Sequence, residues 1–192
     1  MRNYKLAIKS FDKAIELNPN FSQAYNNRGT AYYSLKNLEK ALEDFNKAIE
    51  LNPNYALPYV NRGNVYDDLG NHKAALKDFN QALQFDKNDA LTYYNRGLAH
   101  YNLGNYSQAI LDYDKAILLN PNYVEAYICR GAVYRVLRYY EQAISDFSKA
   151  IQIDPHYYGY AYYNRGICYQ ELGEMEKAQA DFDKAEQLGF NG

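Results

Sequence analysis

Glycines fall at Gly29, Gly63, Gly97, Gly131 and Gly166, the first four 34 residues apart and the last one 35 further on. The alanines Ala7, Ala41, Ala75, Ala109, Ala143 and Ala178 keep the same step, and so do Phe11, Phe45, Phe79, Tyr113, Phe147 and Phe182. Ala14, Ala48, Ala82, Ala116, Ala150 and Ala185 form a third series. Pro19, Pro53, Pro121 and Pro155 form a fourth, with Lys87 in the vacant proline slot. Self-similarity at a fixed period of this size specifies a solenoid built from one repeated unit. Such a fold presents a long surface and seldom an enclosed catalytic pocket, so binding is the leading expectation.

The repeated unit is legible in residues 56–89. Tyr59, Gly63, Val65 and Tyr66 occupy its first half, and Ala75, Leu76, Phe79, Ala82 and Leu83 its second. Steps of three and four in both halves predict two amphipathic helices. Leu69-Gly70-Asn71 breaks them into a hairpin, and the proline that closes most units ends the second helix. A mid-helix Gly costs about 1 kcal/mol against Ala. Its recurrence implies another helix crossing closely at that point, with the Tyr and Phe columns filling the space beside it. Five full repeats follow, at 22–55, 56–89, 90–123, 124–158 and 159–192. Residues 1–21 match a second helix only, through Tyr4, Ala7, Phe11, Ala14 and Pro19. The expected organisation is a single array over 1–192. An extra residue near His156-Tyr157-Tyr158 lengthens the last link and is expected to change the local twist.

Composition narrows the function. The net charge of -2 gives no attraction for nucleic acid. No apolar run is long enough to cross a bilayer, and the N-terminal segment lacks the apolar core and cleavage site of a signal peptide. Cys129 and Cys168 lie in different repeats and make no disulfide framework, so a reducing cytoplasm is the expected location. No His or Cys pair has metal-ligand spacing, and there is no phosphate loop or nucleophile motif. Neither cofactor nor catalysis is expected.

Tyr59, Gly63, Tyr66, Ala75, Phe79 and Ala82, closed in other repeats by Pro, resemble the tetratricopeptide repeat pattern over the whole chain. The resemblance implies an all-α solenoid of antiparallel hairpins forming a superhelix, whose first helices line a concave groove for an extended peptide or a helix of a partner protein. Fold alone does not name the partner. Carried over, the groove positions are Asn26, Thr30 and Tyr33, then Val60, Asn64 and Asp67, then Tyr94, Leu98 and Tyr101, then Ile128, Ala132 and Arg135, then Tyr163, Ile167 and Gln170. Beside them run Asn27, Asn61, Asn95 and Asn164, with Cys129 in the remaining slot. A row of amides, each both donor and acceptor, either clamps a peptide backbone or bonds helix to helix within the array. The apolar anchors Tyr94, Leu98, Tyr101, Ile128 and Tyr163 point to a ligand with hydrophobic residues toward the C-terminal repeats. Relatives that grip acidic peptide tails use Lys and Arg in this groove, and here Arg135 alone is cationic, so that activity is not expected. The alternative to peptide binding is a scaffold that self-associates weakly through its open ends.

The chain departs from the family pattern where Leu usually precedes the Gly and an aromatic precedes the Phe. Those slots hold Arg28, Arg62, Arg96, Arg130 and Arg165, and Asp44, Asp78, Asp112, Asp146 and Asp181, each pair 16 residues apart. Pairing across each hairpin, setting its register, is the expectation; ligand contact by the arginines is the alternative.

Overall fold

The structure is a computed structural model that describes residues 4–155 and 159–190; the inserted residue at His156–Tyr158 lies outside the described residues. All regular structure among them is helical: α1 (Tyr4–Leu17), α2 (Ser22–Ser34), α3 (Leu38–Leu51), α4 (Ala56–Asp68), α5 (His72–Phe85), α6 (Ala90–Asn102), α7 (Tyr106–Leu119), α8 (Val124–Val136), α9 (Tyr140–Ile153), α10 (Gly159–Glu171) and α11 (Met175–Gln187). They gather into two compact units, Met1–Leu103 with α1 to α6 and Gly104–Gly192 with α7 to α11. In the first, α2 pairs with α3 and α4 with α5 as hairpins, α1 packs on α2, α3 on α4 and α5 on α6, and the first helices α2, α4 and α6 touch in succession. In the second, α8 pairs with α9 and α10 with α11, α7 packs on α8, α9 on α10, and α8 touches α10. This is the α-solenoid of helix hairpins that the period specifies.

The hairpin turn follows from local chemistry. Gly70 takes φ +75°, and the Gly70 and Asn71 amides close back on the Asp67 and Tyr66 carbonyls at 2.9 and 2.8 Å. Asn71 then caps α5, its side chain accepting from the Ala74 amide at 3.3 Å. Lys36 and Arg138 adopt the same left-handed conformation, at φ 59° and 62°, so the fold imposes this turn even where no glycine eases it.

The repeated small and large residues meet as the periodicity requires. A Cβ added to Gly29 would stand 2.7 Å from Phe45 Cε1, one on Gly63 2.6 Å from Phe79 Cε1, and one on Gly166 2.7 Å from Phe182 Cε1. The helix pair closes over a hydrogen atom where a methyl group has no room. Phe45, Phe79 and Phe147 are fully buried there, together with Ala41, Ala75, Ala109 and Ala143. On α1 the equivalent Ala7, Phe11 and Ala14 are only half-buried, and no residue of that helix is fully buried.

The arginine column staples these hairpins. Arg28 donates through Nε and Nη2 to both oxygens of Asp44, at 2.8 and 2.6 Å. Arg62 does the same to Asp78 at 2.7 and 2.7 Å, Arg130 to Asp146 at 2.8 and 2.6 Å, and Arg165 to Asp181 at 2.7 and 2.7 Å. All four aspartates are buried. The remaining Nη1 donor reaches back into the preceding repeat: Arg28 to Asp12 at 2.7 Å, Arg62 to Asn46 at 2.6 Å, Arg96 to Asn80 at 2.7 Å, Arg130 to Asp114, and Arg165 to Ser148 at 2.9 Å. Tyr25, Tyr59, Tyr93, Tyr127 and Tyr162 lay a ring face against these guanidinium groups, with centroids 5.4, 5.7, 5.3, 5.6 and 5.5 Å away. One planar fork thus ties both helices of a hairpin to the hairpin before it, a geometry that arginine supplies and lysine does not. The bond to the partner aspartate is the main influence raising the pKa of Arg28, Arg62 and Arg165 further. Sequence spacing finds the aspartate partners of Arg28, Arg62, Arg130 and Arg165 and misses the second partner in the preceding repeat.

Candidate functional site

The first helices of the unit Met1–Leu103 enclose a cleft of about 290 Å³ lined by Tyr33, Asn64, Asp67, Asp68, Leu91, Asn95 and Leu98. Helical spacing puts Asn64, Asp67 and Asp68 of α4 in one wall and Leu91, Asn95 and Leu98 of α6 in the facing one, steps of three and four that share a face. Tyr33 closes the cleft from α2, its hydroxyl donating to Asp68 Oδ2 at 2.7 Å. His72 Nδ1 lies 2.6 Å from Asp67 Oδ1. Burial, reinforced by Asp68 and Asp67, pushes the Tyr33 phenol up to about 12, so it remains a hydrogen-bond donor across the neutral range.

The asparagines link neighbouring first helices. Asn95 Nδ2 donates to Asn64 Oδ1 at 2.9 Å, and Asn61 Nδ2 to Asn26 Oδ1 at 2.9 Å. Asn26 passes its own amide on to Asn27 Oδ1 at 3.2 Å. The Asn95–Asn64 and Asn61–Asn26 bonds run from helix to helix, the alternative to a peptide ladder in the sequence, and each joins two different columns of the repeat. An amide carries two donor hydrogens and two acceptor lone pairs, so the Asn64–Asn95 pair in the cleft wall retains capacity for a ligand. Tyr94 and Tyr101, on the same helix α6, are half-buried.

The unit Gly104–Gly192 treats its counterparts differently. Ile128 is buried and packs with Val124, Phe147 and Ile151 in the core. Asn164 is 2% exposed and donates to the Tyr160 carbonyl one turn earlier at 2.8 Å. The Tyr163 ring packs against Phe182 and Phe190, at 5.6 and 5.3 Å between centroids. Arg135 and Ile167 are half-buried. Side chains committed in this way to packing and to their own helix have little to offer a ligand, so Ile128, Tyr163 and Asn164 serve the fold before anything else. Cys168 is fully buried, and burial pushes its thiol up to about 11.

Two residues of the cleft escape sequence reasoning. Asp68 falls in the slot held elsewhere by Ser34, Asn102, Val136 and Glu171, and Leu91 opens α6 beyond the positions usually assigned to a groove. The available signal was the doublet Asp67-Asp68, which interrupts the column holding Tyr33 and Tyr101. Among the described residues, no group of three or more His, Cys, Asp or Glu is placed to hold a metal ion. No described helix is long and apolar enough to cross a membrane.

Stacked helical hairpins joined by a repeated glycine–aromatic contact define a class of repeat protein, and comparison places the chain within it. The tetratricopeptide repeat pattern matches residues 22–55, 90–123, 124–157 and 159–188, and related repeat patterns match 3–36, 63–104 and 45–77. The chain belongs to the tetratricopeptide repeat family. No curated protein matches it by sequence. Among solved structures it is similar to YrrB, described as a TPR protein with an unusual peptide-binding site, at 30% identity over 94% of this chain and 93% of that one, with a TM-score of 0.81. It is also similar to a MamA protein at 26% identity, covering 87% and 91% of the two chains, with a TM-score of 0.80. MamA from Desulfovibrio magneticus, at 20% identity, 88% and 94% coverage and a TM-score of 0.81, shares the fold.

Proposed function

We propose that this protein binds an extended segment of a partner protein on the first-helix face of its N-terminal unit, and that its role is recognition rather than catalysis. The observation that carries this reading is the cleft between α4 and α6, which sets the Asn64–Asn95 amide pair beside Leu91 and Leu98. Amides at the wall suit a peptide backbone, and the leucines suit the side chains between its hydrogen-bonding groups. The likeness to YrrB, whose description names a peptide-binding site, agrees with this use of the fold. A peptide selected on the protein from a random displayed library tests it. Leu98→Ala should weaken binding at least about tenfold, the loss of an interface anchor. Leu98 is half-buried, so the unfolding midpoint of the variant is measured beside its affinity to separate lost contact from lost fold. Unchanged affinity would place the ligand elsewhere.

A second reading, self-association, is favoured by the apolar face of α1, where Tyr4, Ala7, Phe11 and Ala14 are half-buried. Sedimentation over a wide concentration range separates the two. Association lost in Phe11→Glu supports it, and a monomer at every concentration rejects it.

A further inference from the structure

We propose that the cleft selects a partner segment carrying a lysine or arginine next to an aliphatic residue, with the cationic group seated on Asp67 and Asp68. This rests on the reading of the cleft as a peptide site and adds the chemistry of what it takes. The argument is one of charge complementarity within a defined cavity. Among the described residues that line it, the charged ones are Asp67 and Asp68, and no lysine or arginine is among them. Each carboxylate has one oxygen engaged by a local donor: Asp68 Oδ2 by the Tyr33 hydroxyl, and Asp67 Oδ1 by the His72 ring. Asp68 Oδ1 and Asp67 Oδ2 are the oxygens left for an incoming donor. Both carboxylates are therefore held in position before a ligand arrives, which lowers the ordering cost of binding.

Lys36 lies over the face of the Tyr33 ring, with Nζ 5.5 Å from its centroid, turned to the π-system. Leu91 and Leu98 face the carboxylates across the cleft. A lysine or arginine fits such a wall, since its methylene stem lies on apolar surface while its head reaches the acids. An aliphatic neighbour on the peptide covers the rest of the leucines. An acidic peptide meets two fixed carboxylates and is rejected, so this site is the inverse of a carboxylate-binding groove.

The experiment is a random seven-residue peptide library displayed on phage and selected in parallel on the wild-type chain, on Asp67→Asn/Asp68→Asn and on Leu98→Ala, each first shown by urea unfolding to be fully folded under the selection conditions. Asn keeps the size and the acceptor for Tyr33 while removing the charge. The expected result is enrichment of Lys or Arg beside Leu, Ile or Val on the wild type. On the double Asn variant that basic preference disappears, and the affinity of the selected peptides falls about tenfold, the scale of a charge-assisted bond that is partly open to water. Should the double variant unfold early, Asp68→Asn alone serves with the same readout. Peptides without a basic preference, or a preference that survives in the Asn variants, overturn the proposal; the peptide-site reading then stands if those peptides still lose binding on Leu98→Ala. Selected peptides that bind Leu98→Ala unchanged, or failure to select any, overturn the peptide-site reading and this proposal with it.

Discussion

Two faces of α4 make opposite use of the same helix. On its inner face, Arg62 and Gly63 belong to columns that every full repeat fills in the same way, and each meets a fixed partner, Asp78 and the Phe79 ring. On its outer face, Asp67 occupies a slot that holds Tyr33, Tyr101, Arg135 and Gln170 in the other repeats. The inner face solves a problem of geometry posed identically by each hairpin, so one answer recurs. On the outer face the partners change from repeat to repeat, as with Asp67 and His72 or Asn64 and Asn95, and its side chains are set repeat by repeat.

The largest effect expected from breaking this contrast lies in the arginine column. Arg62→Ala or Asp78→Ala strands one charge against the hairpin interior and should cost about 3–5 kcal/mol in urea unfolding. Replacing both, with Leu and Tyr as in the usual family pattern, should be close to neutral or stabilising. Single variants that melt like wild type would remove the staple from the account.

A smaller effect belongs to the glycine column. Gly63→Ala places a methyl 2.6 Å from Phe79 Cε1, whereas Gly131→Ala places one 3.1 Å from Phe147 Cε1. Overpacking of about 1–3 kcal/mol is offset in part by the gain of about 1 kcal/mol in helix propensity. Gly63→Ala should therefore be the more damaging of the two, and a reversed order by thermal unfolding would deny that the close crossing controls this position.

The smallest perturbation uses the two cysteines. Cys129 stands half-exposed in the asparagine slot of a first helix, while Cys168 is buried with its thiol pushed up to about 11. At pH 8 a thiol reagent should modify Cys129 well before Cys168, whose ring of neighbours excludes the reagent and whose thiolate is scarce. Equal rates would mean that the α10 interior opens freely.

The helical hairpins and the close glycine crossings were legible in the sequence because each is a local or nearest-neighbour demand repeated several times, and repetition averages away the ambiguity of any one segment. The Arg62–Asp78 pair was legible for the same reason. The second bond of each arginine was not, since Asp12, Asn46, Asn80, Asp114 and Ser148 share a position but not a residue type. The candidate site was harder still. Assigning groove residues by position along the first helix treats all repeats alike, yet Val60 and Ile128 sink into the core while Leu98 stays in the cleft wall. Asn164 turns inward to its own helix while Asn95 bonds across to α4. These outcomes depend on neighbours two or three turns away in other repeats, where the period supplies no rule. With an acidic pair in the cleft, binding should also weaken as salt rises, in contrast to the salt-independent binding that apolar anchors alone imply.

The central claim is that repeated positions build the hairpins and the non-repeating outer face of α4 and α6 recognises the partner. The most direct measurement is the amide chemical-shift map of the ¹⁵N-labelled protein titrated with a library-selected peptide. The account predicts perturbations concentrated at Tyr33, Asn64, Asp67, Asp68, Leu91, Asn95 and Leu98, with the amides of Asp78, Phe79 and Ala82 on the far side of the hairpin nearly silent. Shifts concentrated instead on the outward residues of the second helices, such as Glu43, Lys77 and Gln84, or along α1, would contradict it.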